Sequence, residues 1–385
     1  MKIKVDQLIF FSIIFHVLST QSVLTYLFFD LFGVWEVKSY LHPISLVILI
    51  SSFSLKIKYL KVRYEDILVF IYAIILLILM LFNINSFFSF YMAIREVFFI
   101  FILTYLLSQY HFSLSQYKIF RNLLVILIII NLGLTALTYI LGAEGFMKLI
   151  VGYYAWGVDE VTKFQISNFL ATYWRSPAGV GSSAGTAYFA LFSYFIFDLK
   201  SKQGFIKFLA LALILSTFTR SALLCLVIYE FLKFLSYKKN IVLIQKYSDI
   251  IIGFLIIFVV IFSQLSLFNI ESVIIRIDVW LTEISVDYNL FYGGNLGNVG
   301  GAIRGDGHEA ILDSYWLFLL YATGLIGIII WFIFFYEKSK ISKRKFFFVI
   351  GIVCSGFFIH LTQAIPFLVM FPLVFAHYDK LTTET

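Results

Sequence analysis

Apolar runs of roughly twenty residues alternate with short polar breaks along the whole chain. A helix rises about 1.5 Å per residue, so about 20 apolar residues cross a hydrocarbon layer about 30 Å thick, and each run reads as a candidate membrane span. Twelve are expected, over 8–29, 41–55, 66–82, 93–108, 121–141, 183–198, 205–218, 220–236, 249–268, 314–336, 346–362 and 363–378. The last two are divided mainly by Gln363 and Pro366. The opening MKIK and its apolar run have the look of a secretion signal, but the run is too long and further spans follow, so it reads as an uncleaved first span. The pattern predicts an all-α, polytopic integral membrane protein of about 12 transmembrane helices. It forms a single domain over 1–385, with two long loops at 142–182 and 269–313.

Composition agrees with the pattern. The chain is 61% hydrophobic and 13% charged, with mean hydropathy +0.96, which excludes an ordinary soluble domain. Cys225 and Cys354 both fall inside apolar runs, so neither a disulfide framework nor a metal site is expected. The net charge of +7 does not call for nucleic acid, because lysine-rich inner loops of a membrane protein explain it better.

The basic residues also orient the chain. With the N-terminus inside, 21 of the 29 Lys and Arg fall in inner segments and 8 outside, so the positive-inside rule predicts alternating spans with both termini cytoplasmic. The residue types divide more sharply than the totals: 18 lysines and 3 arginines inside, 3 lysines and 5 arginines outside. The outer arginines are Arg95, Arg175, Arg220, Arg276 and Arg304. A guanidinium is a planar, always-charged fork that grips phosphate or carboxylate through two bonds, so arginines on the face where basic residues are disfavoured point to an anionic ligand. The alternative is structural: pairing with neighbouring acids, such as Arg95 with Glu96 or Arg276 with Asp278, or reaching to lipid headgroups.

The candidate chemistry lies in the two long outer loops and one tight outer turn. The first loop ends in YWRSPAGVGSSAG, Tyr173 to Gly185, where proline, glycine and serine break the backbone before the sixth span. Arg175 and the start of that span are placed to hold a phosphate jointly, although small residues at a helix entry also serve packing. The turn STFTRSALL, Ser216 to Leu224, puts Arg220 at the positive end of the eighth span, where a cation is unfavourable for the helix dipole. The second loop, Asn269 to Asp313, gathers Arg276, Arg304, His308, Glu309 and Asp313 around GGNLGNVGGAIRGDG, which reads as a mobile loop. That segment lacks the GK[ST] end of a phosphate-binding P-loop, and HEAIL has leucine where a zinc protease needs its second histidine. His308, Glu309 and Asp313 are candidate proton carriers, with N-capping of the tenth span as the alternative role of Asp313.

Four features in order resemble the Wzy-type O-antigen or capsule polymerases and, more broadly, the superfamily they share with the O-antigen ligases. They are RSPAGVGSSAG, the TRSALL turn, an RIDVW segment, and GHEAILDSYWLFLLYATGLIG, and they span about residues 170–330. The last departs from the ligase pattern, with Glu309 after His308 and Asp313–Ser314 where Asn–Ser often stands. The resemblance implies a GT-C-like glycosyltransferase at the outer face of the bacterial cytoplasmic membrane, needing neither cofactor nor metal. Its substrates would be undecaprenyl-diphosphate-linked oligosaccharides, with a chain-length regulator and a flippase as partners. Arg175, Arg220, Arg276, Arg304 and Arg95 would hold the donor diphosphate and sugars, and His308, Glu309 or Asp313 would activate the acceptor hydroxyl. The alternatives are a ligase moving finished glycan to a lipid A core, and, from another class, a flippase for the same lipid-linked sugars.

Overall fold

The computed structural model describes residues 5–34, 38–81, 87–149, 176, 178–199, 204–237, 274, 278, 289–293, 296, 299 and 314–378. Among them thirteen α-helices follow one another and no strand occurs. These are α1 (Val5–Leu18), α2 (Ser22–Asp30), α3 (Lys38–Ser54), α4 (Tyr64–Leu81), α5 (Phe87–Ala93), α6 (Phe99–Leu107) and α7 (Leu114–Leu149). After them come α8 (Ser183–Asp198), α9 (Gly204–Ser216), α10 (Arg220–Leu235), α11 (Tyr315–Ser339), α12 (Lys343–Ser355) and α13 (Ile365–Val374). Among the described residues three segments suffice, by length and composition, to cross a membrane: Phe90–Leu107, Leu114–Gly142 and Tyr315–Ser339. With the shorter apolar helices they make the chain compatible with a membrane protein.

The chain divides into two compact units, Met1–Val69 with Arg95–Ala222 and Thr362–Thr385, and Phe70–Ile94 with Leu223–Leu361. In the first, α8 is the centre. From Gly185 to Asp198 all but one of its side chains are buried, as expected of a helix that is apolar on every face. It packs on α9, α13 and α7. Tyr188 and Phe192 of α8 meet Phe367 and Phe371 of α13 at ring separations of 5.9–6.3 Å, contacts worth about 0.5–1.5 kcal/mol each beyond area burial. Lys207 donates to Asp198 at 2.7 Å and closes the α8–α9 hairpin. The helix starts where Ser182 caps it, accepting from the Gly185 N–H at 3.0 Å. A Cβ on Gly185 would lie 2.6 Å from that same hydroxyl, so the cap and the glycine require each other.

The expected first span, 8–29, is two helices. The chain leaves helical geometry at Ser19–Gln21 between α1 and α2, and Thr20 and Gln21 are buried there. The expected fourth span, 93–108, is likewise interrupted, by a π-helical turn at Ile94–Phe98 between α5 and α6. Such turns insert one residue into the ladder and recur at functional sites.

In the second unit the expected tenth span, 314–336, is not one straight crossing. Gly324 has φ 69 and ψ −174, and Trp316 meets Trp331 edge to face at 4.9 Å and stacks on Phe332 at 5.2 Å. Fifteen residues of straight helix would separate the two tryptophans by about 22 Å, so α11 folds back on itself at Gly324. Its first arm, Tyr315 to Thr323, is about 13 Å long and too short to cross a bilayer. The turn Asn289–Gly293 docks on the fold: Leu325 N–H donates to Leu290 O at 2.9 Å and Ile326 N–H to Phe291 O at 3.1 Å. These carbonyls satisfy N–H groups that the break in the helix would otherwise orphan. A Cβ on Gly324 would sit 2.2 Å from Phe291 O, so only glycine allows the approach. The turn that leads into the glycine-rich segment is therefore pinned at Asn289–Gly293, while most of Gly293–Gly307, expected to be mobile, lies outside the described residues.

Candidate functional site

The first unit carries a continuous buried polar network built on the break between α1 and α2. Asn131, midway along α7, donates to Gln21 Oε1 and to Leu127 O, both at 2.8 Å. Its own Oδ1 accepts from the Gly179 N–H at 2.8 Å, and Gly179 O accepts from Val23 N–H at 2.9 Å. One asparagine thus ties the start of α2 to the Ser176–Ser182 part of the RSPAGVGSSAG entry. That entry is held tightly, with Ala178 at φ 45 and its N–H on Ser176 Oγ at 3.1 Å. Left-handed backbone at a non-glycine residue costs of order 1 kcal/mol and persists only where surroundings enforce it.

α7 also holds the start of the STFTRSALL turn, at Ser216. Ser176 Oγ donates to Thr138 Oγ1 at 3.1 Å, while Tyr139 OH donates to Ser216 O at 2.8 Å. Adjacent residues of one helix therefore anchor two motifs that lie forty residues apart in sequence. Arg220, half-buried, opens α10 directly after this turn, and Phe218 within it has φ 51.

A second cluster adjoins the break through Ser19. His16 of α1 and His42 of α3 stack at 5.2 Å, and His16 Nδ1 lies 2.8 Å from Ser45 Oγ. Ser19 spends its hydroxyl proton on His16 O at 2.7 Å, and Ser45 has both Ser19 Oγ and His42 O within 3.0 Å as acceptors. Ser45 therefore has its proton committed, and the consistent assignment has His16 Nδ1–H donating to it. That leaves neutral His16 with a bare lone pair on Nε2, which is the arrangement of a proton acceptor. Arg95, on the π-helical turn, donates from Nη2 to fully buried Glu96 at 3.2 Å, and its side chain is only 15% exposed. His16 Nε2, both ring nitrogens of His42 and Arg95 Nε have no hydrogen-bond partner among the described residues. Buried ionisable groups between apolar helices are costly and usually functional.

Of the sequence-predicted site residues, Arg95 and Arg220 are described, and both belong to the first unit. Arg95 pairs with Glu96, the structural alternative noted for it, while its Nε carries no partner. Arg175, Arg276, Arg304, His308, Glu309 and Asp313 lie outside the described residues. Sequence reasoning missed His16, His42, Gln21 and Asn131. The available signal was their polarity inside apolar runs, as in ILIIINLGLTALTYI around Asn131. Among the described residues no group of three or more His, Cys, Asp or Glu is placed to hold a metal. Comparison with family models, curated proteins and solved structures finds no match to this chain.

Proposed function

We propose that the chain is a polysaccharide polymerase of twelve spans with a GT-C-like arrangement. It joins lipid-diphosphate-linked oligosaccharide repeats at the outer face of a bacterial cytoplasmic membrane. The growing glycan leaves its lipid diphosphate and is transferred to the terminal sugar of a new lipid-linked unit. The observation that carries this reading is the anchoring of the RSPAGVGSSAG entry at Ser176 and of the STFTRSALL turn at Ser216 to Thr138 and Tyr139, side by side on α7. Each motif bears an arginine, and a departing diphosphate needs two or more fixed cationic donors to stabilise its developing charge. The acceptor hydroxyl needs a base, for which His308, Glu309 and Asp313 remain the candidates. Transfer to a lipid A core, the ligase reaction, uses the same donor chemistry and is told apart by the product.

The buried His16, His42, Arg95 and Glu96 cluster favours a second reading, a flippase for the same lipid-linked sugars, because carriers place ionisable groups inside the helix bundle. The glycan ladder of a deletion strain separates the three. One repeat on the acceptor means a lost polymerase, none on the acceptor but units outside means a lost ligase, and units trapped on the inner leaflet mean a lost flippase. Under the polymerase reading Arg175→Ala, Arg276→Ala and Arg304→Ala each abolish long chains at normal protein levels. Unchanged ladders for all three would refute anion gripping.

A further inference from the structure

A separate cleft of about 740 Å³ opens in the first unit, between the start of α1, the end of α3 and the α6–α7 turn. Its floor is apolar, with Phe10 and Phe53 buried, and its lip carries Phe11 and Ile119, both more than half exposed. The mouth holds one charge of each sign, Asp6 and Lys56, which pair with one another. The frame around them is rigid. Gln109 exchanges two bonds with the Lys61 backbone at 2.6 and 3.1 Å, Tyr110 OH donates to Asp6 O at 3.3 Å, and Gln116 reaches the same carbonyl at 3.5 Å. Burial, with the Asp6 carboxylate nearby, pushes the Tyr110 phenol well above its ordinary range, so it stays a donor at any working pH.

We propose that this cleft binds the headgroup of a phospholipid bearing both a primary ammonium and a phosphate, with the first part of its acyl chains along the aromatic floor. The proposal rests on the membrane character of the chain and is independent of glycan transfer. An amphiphile fits because the wall is apolar toward the exposed lip and polar at the mouth. A zwitterion fits because the mouth charges cancel. Asp6 is 61% exposed and Lys56 33%, so their mutual pair is screened and weak, and a headgroup can replace it by pairing its ammonium with Asp6 and its phosphate with Lys56. A primary ammonium is favoured over choline, because its N–H groups add charge-assisted hydrogen bonds to the carboxylate and choline has none to give. Lys58 and Lys61 of the same loop are exposed and attract anionic lipid without selecting for it, and the test must separate the two effects.

The full-length protein is reconstituted into vesicles of equal parts DOPE, DOPC and DOPG, extracted in mild detergent, and weighed with its retained lipid by native mass spectrometry. DOPE is expected to exceed DOPC and DOPG by about five-fold or more, with Asp6→Asn and Lys56→Gln each cutting that excess to below about two-fold. Lys233→Gln breaks an ion pair with Glu230 elsewhere and should leave the preference intact. Equal retention of the three lipids, DOPG ahead of DOPE, or a DOPE excess untouched in both cleft variants would overturn the proposal. None of these outcomes depends on the glycan ladder.

Discussion

Asn131 shows how much a single polar residue can organise inside an apolar helix. Replacing it by alanine leaves the Gly179 N–H and the Gln21 carbonyl oxygen buried without their partner, at about 1–3 kcal/mol for each. Asn131→Ala is therefore expected to lower unfolding stability in detergent by about 2–4 kcal/mol and to loosen the Ser176–Ser182 entry, seen as faster proteolysis there. A loss below about 1 kcal/mol would mean that the entry is held by its own turn and not by α7. Arg95 is a different case. Its Glu96 neighbour supplies the counter-charge and one hydrogen bond, while its Nε has no partner among the described residues.

At the scale of elements, helices that read as single spans are broken where function is expected. α1 and α2 part at Ser19–Gln21, the fourth span carries a π-helical turn at Arg95–Glu96, and α11 doubles back at Gly324. Broken backbone is permitted at membrane depth only when its freed N–H and C=O groups find partners. Here they do: Gly179 O serves Val23, and Leu290 and Phe291 serve Leu325 and Ile326. Gly324→Ala forces a side chain into left-handed backbone and into Phe291 O, so the fold-back cannot persist unchanged. The expected result is a lost Trp316–Trp331 contact, read as a changed near-UV circular dichroism signal and red-shifted tryptophan emission. An unaltered spectrum would show that the arms pack without the docked turn.

For the whole molecule the question is orientation. Lys338, Lys340 and Lys343 cluster at the junction of α11 and α12, and Lys56, Lys58 and Lys61 follow α3, as inner segments should. Reporter fusions after Lys61 and Lys343 are expected to read inside, and fusions after Lys163 and Gly300 outside. An inside reading at Gly300 would remove the second loop from any outer site.

Hydrophobic run length determined the helical class and most helix positions. The run over 183–198 coincides with α8, and those over 220–236 and 41–55 lie within a few residues of α10 and α3. Charge placement determined the predicted orientation, because lysine distribution is a property of sequence alone. Run length could not reveal that 8–29 and 314–336 are each two helices, since a break whose orphaned groups are satisfied by distant residues leaves no interruption in hydropathy. The partners that permit those breaks, Gly179 for α2 and the Asn289–Gly293 turn for α11, are more than thirty residues away or lie across a loop. For the same reason His16 and His42 looked like scattered polar residues. Only packing put α1 against α3 and set the π-helical turn beside them, so that four nitrogens share one buried place.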